Sequence, residues 1–144
     1  MRIYAQLRMK DIFADTGYWI ALLNPRDELH LRARNLAVTL KGMRIINSEW
    51  VLIETLNGFA GCGPHLRSIA AGAVSALRSN SGALVEGQIV DSFSKALKLY
   101  RDSADKEWIL TDCSSFLIMR QHRIDSALTS DHHFEQAGFK AFLR

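Results

Sequence analysis

The sequence predicts a three-layer α/β/α sandwich built on a short central parallel sheet. Short, mostly apolar runs at residues 12–14, 43–46, 83–85 and 127–129 alternate with longer segments of helical period. That alternation is the order of parallel strands joined by crossover helices. The stretch Ile12-Phe13-Ala14-Asp15-Thr16-Gly17, with the apolar run 18–23 behind it, is the second observation. It reads as a buried strand that delivers a carboxylate at its C-terminal end as the chain turns into a helix. Ligands of open α/β sheets bind in the crevice beyond the strand ends.

Taken in order, residues 18–23 form a short apolar helix stopped by Asn24-Pro25-Arg26. Asp27 is placed to cap an amphipathic helix whose apolar face is Leu29, Ala33, Leu36, Ala37 and Leu40, with Gly42 as its stop. A strand at 43–46 leads to Asn47 and Ser48, which offer capping side chains for a helix over 49–59. That helix is apolar nearly all round and is expected to be largely buried, with Glu54 in its middle. Gly58, Gly61, Gly63 and Pro64 break the chain, and Leu66, Ile69, Ala70, Ala73, Val74 and Leu77 mark the next amphipathic helix. A weak strand at 83–85, a helix over 91–102 and a solvated loop at 102–107 follow. Asp112 opens a helix with Phe116, Leu117 and Met119 on its buried face. The strand at 127–129 ends at Ser130-Asp131. A helical turn then runs from Phe134 to Ala137, Gly138 stops it, and residues 139–143 close the sheet as an edge strand.

The 144 residues, 48% of them hydrophobic, suit one domain over 11–144, preceded by an N-terminal extension over 1–10. A formal charge of +3, from 18 basic and 15 acidic residues, permits an anionic partner without demanding one. The basic residues are scattered, which excludes a dedicated nucleic-acid tail. Cys62 and Cys113 have no zinc spacing and read as ordinary thiols in a reducing compartment. With no signal peptide and no stretch long enough to span a membrane, the expectation is a cytoplasmic protein.

Asp15, Glu54, Asp112 and Asp131 stand out because each interrupts an apolar run or an element end. Asp15 and Asp131 end strands. Asp112 begins a helix, where the macrodipole tolerates its charge. Right-handed crossovers bring such ends to one edge of the sheet. Carboxylates sharing one pocket repel and raise each other's pKa, and the usual remedy is a hard divalent cation, Mg²⁺ or Mn²⁺ rather than zinc. Such a site suits phosphodiester hydrolysis. Each acid also has a plainer reading: a helix cap for Asp15, Asp112 and Asp131, an arginine partner for Glu54.

Four segments sharpen this. Asp15-Thr16 after its strand, Ser48-Glu49-Trp50-Val51-Leu52-Ile53-Glu54-Thr55, Thr111-Asp112-Cys113-Ser114-Ser115-Phe116 and Ala127-Leu128-Thr129-Ser130-Asp131-His132-His133-Phe134, in this order and spacing, together resemble the PIN-domain family. The likeness is to its VapC-type ribonuclease toxins, and it covers residues 11–143. The resemblance implies an α/β/α fold and a Mg²⁺- or Mn²⁺-dependent endoribonuclease. Its catalytic and metal-binding acids would be Asp15, Glu54, Asp112 and Asp131, with Thr16 and Ser115 as supporting hydroxyls. It further implies an RNA substrate, a cognate antitoxin that blocks the pocket and a homodimer. A stand-alone RNA-processing nuclease and a non-catalytic PIN-like binding module are the alternatives.

Competing motifs fail on context. Asp15-Thr16-Gly17 spells an aspartic-protease triplet, but those enzymes are all-β. A haloacid-dehalogenase-type phosphatase needs an acid where Gly17 stands. His132-His133 lacks an i, i+4 partner or a cysteine, and is read as surface or rim. Trp19, Trp50 and Trp108 are read as core or interface, and Arg32, Arg34, Arg120 and Arg123 as solvated.

Overall fold

The computed structural model describes residues 10–80, 82–87 and 91–144. The elements run β1 (Lys10–Ala14), α1 (Thr16–Leu23), α2 (His30–Val38), β2 (Met43–Ser48), α3 (Glu49–Phe59), α4 (Pro64–Ser79), β3 (Ala83–Glu86), α5 (Ser92–Asp102), α6 (Leu110–Gln121), β4 (Ser126–Leu128), α7 (His132–Gln136) and β5 (Lys140–Ala141). Residues 1–9 of the expected extension lie outside the described residues, while Lys10 is the first residue of β1 and pairs with Met43.

The five strands are ordered β3-β2-β1-β4-β5 and all pair in parallel. Chain progress is outward from β1 to β2 to β3, then back across to β4 and β5. With right-handed crossovers this places α1–α4 on one face and α5–α7 on the other, as the packing of α1 on α2 and α3, and of α6 on α5 and α7, bears out. The chain therefore reverses direction between β1 and β4, and the crevice at that switch point is the expected site.

Ile12, Phe13 and Ala14 are wholly buried, as are Ile46, Ala127 and Leu128 of the flanking strands. Burial on both faces is why these strands read as apolar runs rather than as alternating ones. At the opposite, N-terminal edge, Arg44 grips Asp11 with two hydrogen bonds of 3.0 and 2.9 Å across directly paired positions of β1 and β2. That bidentate pair holds the register, although its exposure keeps its energy modest.

The structure corrects several local expectations. Asp27 does not cap α2: its Oδ1 accepts from Leu29 N at 2.8 Å in the turn before the helix, and α2 starts only at His30. Asn47 is no cap either. It is the fifth residue of β2, wholly buried, and its Oδ1 accepts from Trp19 Nε1 at 3.0 Å. The cap is Ser48, whose Oγ accepts from Val51 N at 3.2 Å. Ser48→Ala leaves that buried amide unpaired and should cost about 1 kcal/mol, read as a lower urea midpoint at unchanged slope.

α3 is more amphipathic than expected. Val51, Leu52, Thr55 and Phe59 are buried, but Ile53 and Leu56 are exposed. Gly58 does not break it. A Cβ there would stand 2.9 Å from Ile20 Cδ1, so the missing side chain lets α3 lie close against α1. Gly42 and Gly138 do terminate segments, at φ of 78° and 95°. Trp19 and Trp108 are buried, and Trp50 stacks on Phe93 at 6.0 Å.

Candidate active site

Asp15 follows β1 directly and stands at the N-cap position of α1, yet its side chain makes no capping bond. Thr129, just beyond β4 on the neighbouring strand, donates its hydroxyl to Asp15 Oδ2 at 2.8 Å. The same Thr129 oxygen accepts from Asp131 N at 3.0 Å. One hydroxyl thus ties the end of β1 to the turn that carries Asp131. Being the N-cap of α1 and being aimed into the crevice are separate facts about Asp15, and its side chain serves the second.

Asp112 is the third residue of α6 rather than its first. It reaches back to accept from Ile109 N at 3.2 Å, which satisfies an N-terminal amide and sets the carboxylate at the positive end of the helix. Asp131 caps α7 by accepting from His133 N at 2.9 Å. The plain capping reading therefore holds for Asp131 and in part for Asp112, without removing either from the site. Glu54 is half-buried on α3, with no hydrogen bond or ion pair among the described residues. Among the described residues, no arginine partners it as a structural role would need.

Electrostatics show that these acids share one neighbourhood. Burial pushes the Asp15 carboxyl up from 3.8 to about 7. The Thr129 hydroxyl and the Thr16 amide pull it down, and the fields of Asp112 and Glu54 push it up further. Asp112 is also raised, first by burial and then by the Asp131 charge, against a hydrogen bond from His133 and one from Ile109 N. The chain of mutual influence runs Glu54–Asp15–Asp112–Asp131, the set expected from the sequence.

Two side chains that the sequence did not single out stand in contact with these acids, Thr129 and His133. His133 was expected at the surface or rim together with His132. Its ring is instead mostly buried, with Nδ1 3.1 Å from Asp112 Oδ2 and 3.4 Å from Asp131 Oδ1. A carboxylate can only accept, so Nδ1 carries the proton in this contact. His132 stays on the exposed rim.

The residues fit a hard divalent cation. Among the described residues, Thr16 Oγ1, Ser115 Oγ and Asn47 Nδ2 are buried without a partner. Buried hydroxyls without partners are rare. Thr16 adjoins Asp15 and Ser115 lies one helical turn beyond Asp112, so both orphans stand beside the acids. Water in the coordination shell of an ion held by oxygen donors would satisfy them, and that donor chemistry suits Mg²⁺ or Mn²⁺.

No protein-family model matches the chain. It is 29% identical over 133 residues to the 23S rRNA-specific endonuclease VapC20 of Mycobacterium tuberculosis, in the CDC 1551 and the H37Rv strain alike. The match spans 89% of this chain and 95% of the relative. The crystal structure of Mycobacterium tuberculosis VapC20, a sarcin–ricin-loop-cleaving toxin, superposes with a TM-score of 0.79 at 31% identity, over 89% of this chain and 95% of that one.

Proposed function

The chain belongs to the VapC-type toxins of the PIN-domain family, and from that membership we propose a divalent-metal-dependent endoribonuclease whose target is a structured loop of ribosomal RNA. The observation that carries the reading is the mutual influence of Glu54, Asp15, Asp112 and Asp131 at the β1–β4 switch point. A bound Mg²⁺ or Mn²⁺ would supply Lewis-acid polarisation of the scissile phosphate and a more acidic water.

The protein's part is placement. Asp15 and Asp112 offer the principal oxygen ligands, Asp15 held in rotation by Thr129 and Asp112 by Ile109 N and His133. Glu54, free of protein partners among the described residues, orients the attacking water, with Asp131 completing the shell. Thr16 and Ser115 hold waters against the carboxylates. Beside the first turn of α6 lies a groove of about 660 Å³ lined by Tyr100, Arg101, Lys106, Trp108 and Ile109 among others. Cations and aromatic rings there suit an RNA strand running up to the acids.

The toxin reading brings an antitoxin that covers the pocket and a second copy of the chain. Leu31 and Val38 on α2, and Ile53 and Leu56 on α3, remain exposed and offer apolar surface for either contact. Among the described residues no helix is long and apolar enough to cross a membrane, and the proposed ribosomal target would be met in the cytoplasm.

The direct test is a synthetic sarcin–ricin-type stem–loop incubated with Mg²⁺, Mn²⁺ or excess chelator. A single cut is expected with either ion and none with chelator. Cutting that survives chelation would sink the metal dependence. An intact stem–loop alongside other cleaved structured RNAs would move the target elsewhere.

A further inference from the structure

Asp131, His132 and His133 bring three ligand atoms within 4.8 Å of one another, a set of two imidazoles and one carboxylate. We propose that this cluster is a transition-metal site of the Zn²⁺ class, set apart by its two imidazoles although it shares Asp131 with the carboxylate set. The inference does not depend on the chain being a nuclease.

Donor spacing is the first support. His133 Nδ1 lies 3.4 Å and His132 Nδ1 3.6 Å from Asp131 Oδ1. Ligands bound at about 2.1 Å stand roughly 3.4 Å apart in a tetrahedron and roughly 3.0 Å apart in an octahedron. The two edges that meet at Asp131 Oδ1 are close to those of a tetrahedral site, and the third lies within 4.8 Å. His133 Nδ1 is also 3.1 Å from Asp112 Oδ2, which brings a fourth donor atom, the second oxygen, to the same nitrogen.

Donor type is the second. Imidazole nitrogen suits zinc and its neighbours, whereas Mg²⁺ prefers oxygen and keeps its waters. A metal here takes the place of the proton that His133 Nδ1 shares with the two carboxylates.

Local rigidity is the third support. Asp131 Oδ1 is held by His133 N at 2.9 Å, and the imidazole centroids are 4.4 Å apart with the rings tilted at 51°. Adjacent histidines at the start of a helix usually diverge, and here the cap draws both Nδ1 atoms toward one carboxylate. The exposed side of His132 leaves a path from solvent and an open coordination position for water.

The test uses the full chain, stripped with chelator and then held in excess Mg²⁺ so that the oxygen site is occupied. Zn²⁺ affinity is read by competition with a chromophoric chelator, and coordination by the visible spectrum of Co²⁺. One Zn²⁺ per chain and an intense tetrahedral Co²⁺ spectrum are expected. His132→Ala, at an exposed position that folding tolerates, should weaken Zn²⁺ binding at least about tenfold and bleach the Co²⁺ band. Asp15→Asn should leave both within about threefold. Zn²⁺ displaced by Mg²⁺, unaffected by His132→Ala or lost in Asp15→Asn would overturn the proposal. Because Asp15→Asn removes RNA cleavage while sparing this site, the nuclease reading and this one fail independently.

Discussion

Asp15→Asn is expected to lower RNA cleavage by about a thousandfold or more while making the metal-free protein more stable. The loss follows if Asp15 is the proposed metal ligand, because its charge is then removed where charge develops in the reaction. The gain follows from burial. The carboxyl rises from 3.8 to about 7 chiefly because the folded protein desolvates it, so the folded state holds its proton over a range where the unfolded chain has lost it. The native state then binds more protons than the unfolded one, and stability falls as pH rises between those values. Well below pH 3.8 the carboxyl is neutral in both states and the substitution should change little. Above about pH 7 the difference is complete, with an upper bound of roughly 4 kcal/mol and a realised value of about 1–3 kcal/mol once water and neighbours relax. Thermal melts of both proteins in chelator across that range provide the check, and added Mg²⁺ should narrow the gap by stabilising the wild type alone. Equal melting temperatures at high pH would mean that the crevice is wetter than its burial implies.

The second large effect is in the core. Phe116 is wholly buried on α6, in edge-to-face contact with Trp108 at 4.9 Å and Phe134 at 5.0 Å, and lies 5.8 Å from Phe139. Phe134 in turn stacks on Phe13 of β1 at 6.5 Å. This ring joins α6, α7, the strands and the loop before α6, so its removal leaves a cavity that rigid neighbours cannot close. Phe116→Ala should cost about 4 kcal/mol, measured by urea unfolding followed through tryptophan fluorescence. Activity should also fall, because Asp112 and Asp131 flank the elements that this ring holds together. A cost below about 1 kcal/mol would show that the aromatic cluster repacks.

The fold was legible in the sequence because its strands are short, buried on both faces and bounded by turn residues, which leaves few ways to pair them. The four acids were legible for a related reason: each sits where a charge is out of place unless something answers it. Thr129, Asn47 and His133 were not, since nothing local distinguishes their roles. Thr129 acts across strands through the β1–β4 register. Asn47 stood next to a better capping residue, and only its burial against Trp19 shows that its side chain turns inward. His133 was discounted for lacking a helical partner, whereas its partners arrive from α6 and from the cap it adjoins. Gly58 misled in the opposite direction, its small size serving helix–helix approach rather than a break.

The hydroxyl of Thr129 joins residues 114 positions apart, and that separation sets when the site can exist. A chain emerging N-terminus first presents Asp15 early, along with the whole of β2 and α3, but Thr129 cannot hold its carboxylate until β4 docks beside β1. Such distant contacts form late in folding. A partly synthesised molecule therefore carries three of its acids without the geometry to use them. For a toxin that cleaves RNA, harmlessness until the chain is complete would then be a property of the topology itself.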